Sequence, residues 1–159
     1  MLLTGTFRRA IDEKLRFPIP KSLRDAFGFP ESSVLYLAPG TEGTLALYPE
    51  QSFARLAEKL EQGSPNAREV RAFSRLFFAQ VQRLEVDKLG RVRLPLESAQ
   101  FASVCKDKDI ILLGVHDHME VWDTERWEAY LSRTQPHYDE LADSAFSGRP
   151  PTTPETIDV

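Results

Sequence analysis

The feature that most constrains the fold of this chain is an internal repeat with a spacing of about 75 residues. Residues 12–20 read Asp-Glu-Lys-Leu-Arg-Phe-Pro-Ile-Pro, and residues 87–95 read Asp-Lys-Leu-Gly-Arg-Val-Arg-Leu-Pro. Three pairs of residues are identical on this spacing: Asp12 with Asp87, Arg16 with Arg91, and Pro20 with Pro95. The alternation of apolar residues after each arginine repeats as well. A shared order of this kind indicates a duplication.

The correspondence continues downstream with slips of one residue in the loops. Residues 34–37 correspond to 110–113, residues 45–48 correspond to 119–122, and Phe53 corresponds to Trp127. Each half therefore predicts the same succession of strand, turn, strand, short helix, strand, turn, strand and helix. The short helix of the first half is expected from Pro20 through Ala26, with Gly28 at its end.

The predicted fold class is α+β, with two β-rich repeats in tandem and flanking helices. We expect the first repeat at 5–53, connecting helices at 54–78, the second repeat at 79–127, a C-terminal helix at 128–143 and a disordered tail at 144–159. Asn66 and Glu69 are spaced as a capping box for the second connecting helix. The tail is assigned from its prolines and its few apolar residues.

The overall charge excludes a uniformly basic nucleic-acid-binding protein. The chain has 159 residues, a net charge of −4 and an isoelectric point near 5.4. Any contact with DNA must therefore use locally concentrated positive charge. A single cysteine, Cys105, allows no intrachain disulfide and fits a reducing cytoplasm. The sequence contains no long apolar run, so neither a signal peptide nor a membrane span is expected.

Positive charge is concentrated at the same place in both halves. Residues 8–24 hold six cations and two carboxylates, and residues 83–93 hold four cations and two carboxylates. Arginine carries five donors in a planar fork that fits phosphate oxygens or a guanine edge, and a two-stranded tip can enter a DNA groove. Charge alone therefore makes DNA-binding candidates of Arg8, Arg9, Lys14, Lys88 and Arg93 in addition to the repeated Arg16 and Arg91. Asp12 and Asp87 are expected to shape the turns, because a short carboxylate can accept backbone amides there.

These residues resemble the paired Asp-x-x-x-Arg motifs of the MraZ family. Other matching pieces are Gly5, Pro-Ile-Pro at 18–20, Leu-Tyr-Pro at 47–49, Arg-Leu-Phe-Phe at 75–78 and Glu-Val-Trp at 120–122. The resemblance covers about residues 1–142. It implies an AbrB-like swapped-hairpin fold with a pseudo-two-fold axis, in which the two halves interleave within one chain.

The resemblance also implies a function. The family forms homo-oligomeric rings that bind double-stranded DNA at short repeated boxes upstream of the operon for cell division and cell-wall synthesis. Arg16 and Arg91 match the arginines that the family presents to DNA. The resemblance thus implies a cytoplasmic, nucleoid-associated regulator that is not an enzyme and needs no cofactor, metal or small-molecule substrate.

The first motif departs from the family pattern at one position. Leu15 stands where the pattern has glycine, which the second motif keeps as Gly90. A left-handed backbone at a leucine costs about 1–2 kcal/mol, whereas glycine adopts it readily. The first turn is therefore expected either to be strained or to have another shape.

Two alternatives remain open from the residues, an enzyme and a protein-interaction module. In a continuous strand, His116, His118 and Glu120 would point to one face and could hold a metal, although a polar hairpin tip is the simpler interpretation. Cys105 could be a nucleophile, but a half-buried core position is more usual. The more serious alternative is an oligomeric protein-interaction module with weak or lost DNA binding. Its candidate surfaces are aromatic: Phe73, Phe77 and Phe78, and Trp122, Trp127 and Tyr130.

Overall fold

The computed structural model describes residues 1–64 and 66–148. The strands in this part of the chain are β1 (Leu3–Ala10), β2 (Arg16–Pro18), β3 (Val34–Pro39), β4 (Leu45–Pro49), β5 (Gln82–Glu85), β6 (Arg91–Arg93), β7 (Asp109–His116) and β8 (His118–Asp123). The α-helices are α1 (Lys21–Phe27), α2 (Glu50–Glu61), α3 (Arg68–Gln80), α4 (Leu96–Phe101), α5 (Thr124–Thr134) and α6 (Tyr138–Ser147). The predicted α+β class is confirmed. No helix among these residues is both long and apolar enough to cross a bilayer.

The strands form two antiparallel sheets, and both sheets mix strands from the two halves. The larger sheet has six strands in the order β1-β7-β8-β4-β3-β5, and β2 pairs with β6 in a two-stranded ribbon. Strand β1 of the first half thus lies beside β7 of the second, and β5 of the second half lies beside β3 of the first. Neither half completes its own sheet, so the two must fold together.

One hydrophobic core joins the ribbon to the larger sheet. Alternate residues of the central strands point to this side, as the period of two in a strand requires. The fully buried members from the sheet are Leu3, Leu35, Leu37, Leu47, Ile110, Leu112, Met119 and Val121. The ribbon, the residues that directly follow its two strands, and α1 add Phe17, Ile19, Leu23, Val92 and Leu94. Burying each such side chain contributes about 1.5–3 kcal/mol, so the core holds the ribbon against the sheet.

An aromatic cluster covers part of the opposite face of the sheet. The Phe53 ring of α2 stacks on Tyr36 with 4.7 Å between ring centroids, and it lies 5.9 Å from the Tyr48 ring. Phe77 of α3 lies 6.3 Å from Phe53 and is buried. Of the three phenylalanines that the sequence offers as a candidate interaction surface on this helix, Phe77 is therefore buried, whereas Phe73 and Phe78 are exposed.

Several predicted boundaries shift by a few residues. Helix α1 begins one residue after Pro20 and ends at a left-handed Gly28, close to the prediction. The expected Asn66 cap is wrong, because α3 begins at Arg68 and Ala67 at its cap position makes no side-chain hydrogen bond.

The C-terminal part forms a separate compact unit from Thr124. Instead of one helix at 128–143 it has α5, a short 3-10 turn at Gln135–His137 that contains Pro136, and α6. Within it, Trp127 and Tyr130 stack with 6.0 Å between ring centroids. Residues 144–147, expected in the tail, are helical, and residues 149–159 of that tail lie outside the described residues.

Close backbone contact between β1 and β7 requires glycine at position 114. Gly114 lies opposite Gly5, and a Cβ on Gly114 would lie 2.7 Å from the carbonyl carbon of Leu3. We expect Gly114→Ala to lower the free energy of unfolding by about 1–3 kcal/mol, because the backbone of β1 must move away. Urea unfolding checks this, with the exposed Thr6→Ala on β1 as the control. Equal midpoints for the two variants would contradict the packing argument.

Candidate functional site

The first repeated motif forms a turn that its aspartate holds together. Oδ1 of Asp12 accepts hydrogen bonds from the amides of Lys14 at 2.9 Å and Arg16 at 2.8 Å. Oδ2 of the same carboxylate accepts a hydrogen bond from Nε of Arg16 at 2.8 Å. The aspartate therefore closes the turn and sets the direction of the arginine side chain.

The second motif reproduces this arrangement. Oδ1 of Asp87 accepts hydrogen bonds from the amides of Leu89 and Arg91, both at 2.9 Å, and Oδ2 accepts one from Nε of Arg91 at 2.9 Å. The backbone bonds of the two turns also correspond, from Asp12 N to Arg16 O at 2.9 Å and from Asp87 N to Arg91 O at 2.8 Å. Two turns of the same geometry therefore flank the ribbon.

Both turns place a left-handed residue before the arginine. The φ angle is +59° at Leu15 and +78° at Gly90. The alternative of another shape for the first turn is therefore wrong. Leu15 carries the left-handed strain, about 1–2 kcal/mol, which its packing against the core must offset.

The ribbon brings three of the predicted arginines to one face. Its register sets Arg16 opposite Arg93, Phe17 opposite Val92, and Pro18 opposite Arg91. Phe17 and Val92 are at most 1% exposed and point into the core. Since side chains alternate along a strand, Arg16, Arg91 and Arg93 lie on the outer side of the ribbon. We call this surface the arginine face.

The arginine face has unused capacity for hydrogen bonding. The side chains of Arg16 and Arg91 are each 29% exposed, and their aspartates engage only Nε. Within residues 1–64 and 66–148, no group hydrogen-bonds to their Nη atoms or to the guanidinium of Arg93. Arg16 and Arg93 are direct cross-strand neighbours, and like charges in that position are destabilising. An anion bound between them would relieve the repulsion and accept the free donors.

The other predicted cations lie away from this face. Lys14 and Lys88 are exposed on the turns, at opposite ends of the ribbon because β2 and β6 are antiparallel. Arg8 and Arg9 lie on β1 of the six-stranded sheet. Arg8 is 3.6 Å from Asp109, and Arg9 donates to the Arg8 carbonyl at 2.7 Å.

One contact of the second turn was missed by the sequence prediction, which used Arg24 only as a charge. Nε of Arg24 donates to the carbonyl of Ile19 at 2.9 Å, and its guanidinium lies directly beside Gly90. A comparison of the two short helices contains the signal, because the position equivalent to Arg24 is Ala99.

The structure does not support the alternative in which the histidines share one face of a continuous strand. His116 ends β7 with φ at +66°, so the chain turns there and the two histidines do not share a continuous strand. No group of His, Cys, Asp or Glu suited to a metal occurs among the described residues. Cys105 is exposed rather than half-buried.

His118 instead belongs to a polar cluster beside the aromatic cluster described above. Its ring stacks on Tyr48 at 5.0 Å, and its nitrogens lie 2.8 Å from Asp117 and 3.4 Å from Glu120. Burial works to lower the pKa of His118, but the bonds to Glu120 and Asp117 outweigh burial and raise it. Glu120 also accepts Nε1 of Trp122 at 3.0 Å, so the cluster has internal partners.

Known proteins match this chain over most of its length. The family model described as "MraZ protein, putative antitoxin-like" matches residues 77–146. The transcriptional regulator MraZ of Finegoldia magna is 36% identical over 133 residues, which cover 84% of this chain and 89% of the relative. The protein of the same name from Heliobacterium modesticaldum is 33% identical over 142 residues, covering 89% and 95% of the two chains. The one from Syntrophomonas wolfei is 31% identical over 143 residues, covering 90% and 96%.

The aspartates of the two turns predict a specific loss of stability in acid. The backbone hydrogen bond from Arg16 is the main cause that holds the pKa of Asp12 below its ordinary value of 3.8. At Asp87, burial works to raise the pKa, and the bonds from Arg91 and Leu89 together outweigh burial and lower it. A carboxylate whose pKa falls on folding stabilises the fold at pH values above its unfolded pKa. This stabilisation is lost as the pH falls through the folded pKa.

We therefore expect Asp12→Asn/Asp87→Asn to be less stable than the parent at pH 6, with a difference that shrinks as the pH falls below about 4. Urea midpoints from pH 6 to pH 3 measure this. The control Asp107→Asn replaces an exposed aspartate outside the turns. A parent-to-variant difference that stays constant over this range would contradict the assignment.

Proposed function

Because the chain belongs to the MraZ family, we propose that it is a transcription regulator that binds double-stranded DNA through the arginine face. The relatives carry the name transcriptional regulator. The single observation that carries the proposal is the position of Arg16, Arg91 and Arg93 on one outer side of the ribbon, with donors that no described residue uses.

The geometry of the face suits a DNA groove. A two-stranded β-ribbon fits the major groove, and arginine forks can contact either phosphates or the O6 and N7 atoms of guanine. Asp12 and Asp87 fix Nε of Arg16 and Arg91, which reduces the side-chain entropy lost on binding. The net charge of −4 makes this local arrangement necessary, because the chain as a whole repels phosphate.

In this proposal the remaining cations have supporting positions. Lys14 and Lys88 would reach flanking phosphates from the two ends of the ribbon, and Arg8 and Arg9 would act from β1. The DNA would be the short repeated boxes upstream of the division and cell-wall operon, bound in the cytoplasm at the nucleoid. No cofactor, metal or small-molecule substrate has a part in this function.

We also propose that the interleaved halves are two tandem AbrB-like repeats related by a pseudo-two-fold axis. The ribbon supports this, because its central pair joins Phe17 to Val92, which are equivalent residues of the two repeats. The carbonyls of Leu15 and Gly90 extend the ribbon in the same way at its two ends. The Leu15 carbonyl accepts a hydrogen bond from the amide of Leu94 at 2.8 Å, and the Gly90 carbonyl accepts one from the amide of Ile19 at 2.9 Å.

We further propose that the chain acts as a homo-oligomeric ring. A single chain offers few cations, and several linked sites raise affinity through effective concentration. Exposed apolar side chains on α3 and α4 offer a means of assembly: Phe73, Leu76, Leu96 and Phe101, which are 45–68% exposed. We propose that these side chains form one exposed apolar surface of the kind typical of interaction sites. The same surface is what favours the alternative, a protein-interaction module with weak or lost DNA binding.

Substitution of the arginines distinguishes these two functions. Binding to the DNA upstream of the chain's own gene, against shuffled DNA of equal length, is measured by fluorescence anisotropy at several salt concentrations. We expect Arg16→Ala and Arg91→Ala each to weaken specific binding by about 1–3 kcal/mol if the arginine contacts a base. If Arg93 contacts a phosphate, Arg93→Ala should reduce the slope of log affinity against log salt concentration by about 1.

The control for these variants is Lys59→Ala, which removes a positive charge from an exposed site on α2. If all three arginine variants fold and bind as the parent does, the site is wrong. If the parent shows no salt-dependent DNA binding at all, the alternative function is favoured.

Assembly through α3 has its own test. We expect Leu76→Glu to lower the mass in solution measured by sedimentation, because it puts a charge into an apolar contact. It should also weaken binding to DNA with two boxes more than to DNA with one box. The control Gln51→Glu adds the same charge at an exposed site on α2. A parent that sediments as a monomer would contradict the proposed ring.

A further inference from the structure

The second turn packs against an arginine, Arg24, that lies outside the repeated motif. A Cβ on Gly90 would lie 2.8 Å from Cζ, Nε and Nη1 of Arg24, so the guanidinium occupies the space where a side chain at position 90 would be. Two further contacts hold Arg24. Its Nε donates to the carbonyl of Ile19 at 2.9 Å, and its Cζ lies 5.6 Å from the centre of the Phe29 ring.

Ile19 links this arginine to the turn by a second route. The amide of Ile19 donates to the carbonyl of Gly90 at 2.9 Å, and the amide of Gly90 donates to the carbonyl of Asp87 at 2.9 Å. Asp87 in turn holds Nε of Arg91. A continuous set of contacts therefore runs from Arg24 through the backbone of the turn to the arginine on the outer face.

The first turn lacks this arrangement, and the repeat shows what replaces it. The amide of residue 24 donates to the carbonyl of Pro20, and the amide of residue 99 donates to the carbonyl of Pro95, both at 3.0 Å. The carbonyls of residues 24 and 99 accept the amides of Phe29 at 3.0 Å and Val104 at 2.8 Å. Arg24 and Ala99 are therefore equivalent, as are Gly90 and Leu15.

The two turns thus combine large and small residues in opposite ways. In the second, a glycine at the left-handed position faces a long arginine. In the first, a leucine at the left-handed position corresponds to a buried alanine. Each combination thus has one large and one small residue; with the geometry of the second turn, a large residue at both positions would overlap and a small residue at both would leave a void.

We propose that Arg24 is a positioning residue that fixes the second turn and so aims Arg91 at DNA, while Leu15 serves the first turn without any such residue. This inference rests on the proposed function of the arginine face. Glycine at a φ of +78° has the freest backbone of any residue, so the second turn needs support from outside. The two turns have the same shape but are held by different interactions. The second is held by the three contacts of the charged Arg24, and the first by the apolar side chain of Leu15.

A set of four variants tests this proposal: Arg24→Ala, Gly90→Leu, the double variant, and the control Lys21→Ala. Lys21 lies on the same helix, carries the same charge and is exposed, with an ion pair to Asp25 at 2.7 Å. Three quantities are measured for each: affinity for the upstream duplex, the urea midpoint, and amide hydrogen exchange in residues 87–91 against residues 12–16.

We expect Arg24→Ala to weaken DNA binding about five- to tenfold and to speed exchange in 87–91 but not in 12–16. Lys21→Ala should stay within about twofold of the parent in affinity. Gly90→Leu alone should lower the urea midpoint, because leucine overlaps Arg24. The double variant, which copies the Leu15 and Ala99 combination, should recover midpoint and affinity relative to Gly90→Leu, a rescue that a purely structural role of Arg24 in α1 would not give.

The proposal is overturned if Arg24→Ala matches Lys21→Ala in affinity and exchange, or if the double variant is no better than Gly90→Leu. If the parent does not bind DNA, the proposed function fails. The exchange and urea measurements then still decide whether Arg24 fixes the second turn.

Discussion

The pairing of Phe17 with Val92 is the contact on which the rest of the structure depends. It joins residues that are about 75 positions apart, so closing the loop between them costs considerable chain entropy. The ribbon is only three residue pairs long, so its own hydrogen bonds offset little of that cost. Burial supplies the difference, because both side chains are almost completely inside a core shared with the six-stranded sheet. The same alternation that sends these two side chains inward sends three arginines outward. Core formation and construction of the arginine face are therefore one event.

This dependence supports the proposal that an acidic chain carries a site for an anion. Cations that are scattered in sequence come together only when the two halves pair, and two of them are fixed by their own aspartates. Those aspartates remove part of the positive charge but leave the outer donors of the arginines available. The face is also uneven along its length, because Arg93 lies opposite Arg16 while Pro18 lies opposite Arg91.

Local features were predictable from the residues, and long-range ones were not. The Asp-x-x-x-Arg turns, the short helix after Pro20 and its glycine end follow from turn and cap chemistry acting over a few positions. The ribbon register depends on how two distant segments pack, and residue types alone do not specify it. Arg24 was missed for the same reason, since its partner Gly90 is distant in sequence. The Asn66 cap failed because a side chain that suits a cap does not dictate where the helix begins, and His116 failed because alternation in the sequence does not reveal a left-handed turn.

Our central proposal is that DNA binds at the arginine face, with the remaining cations only in supporting positions. Hydrogen exchange measured by mass spectrometry, with and without a duplex carrying the upstream region, tests it on the full chain. We predict slower exchange on DNA binding in peptides that cover 12–18 and 87–93, with little change in α2. Protection confined to the helices, with exchange in both ribbon peptides unchanged by a bound duplex, would contradict it.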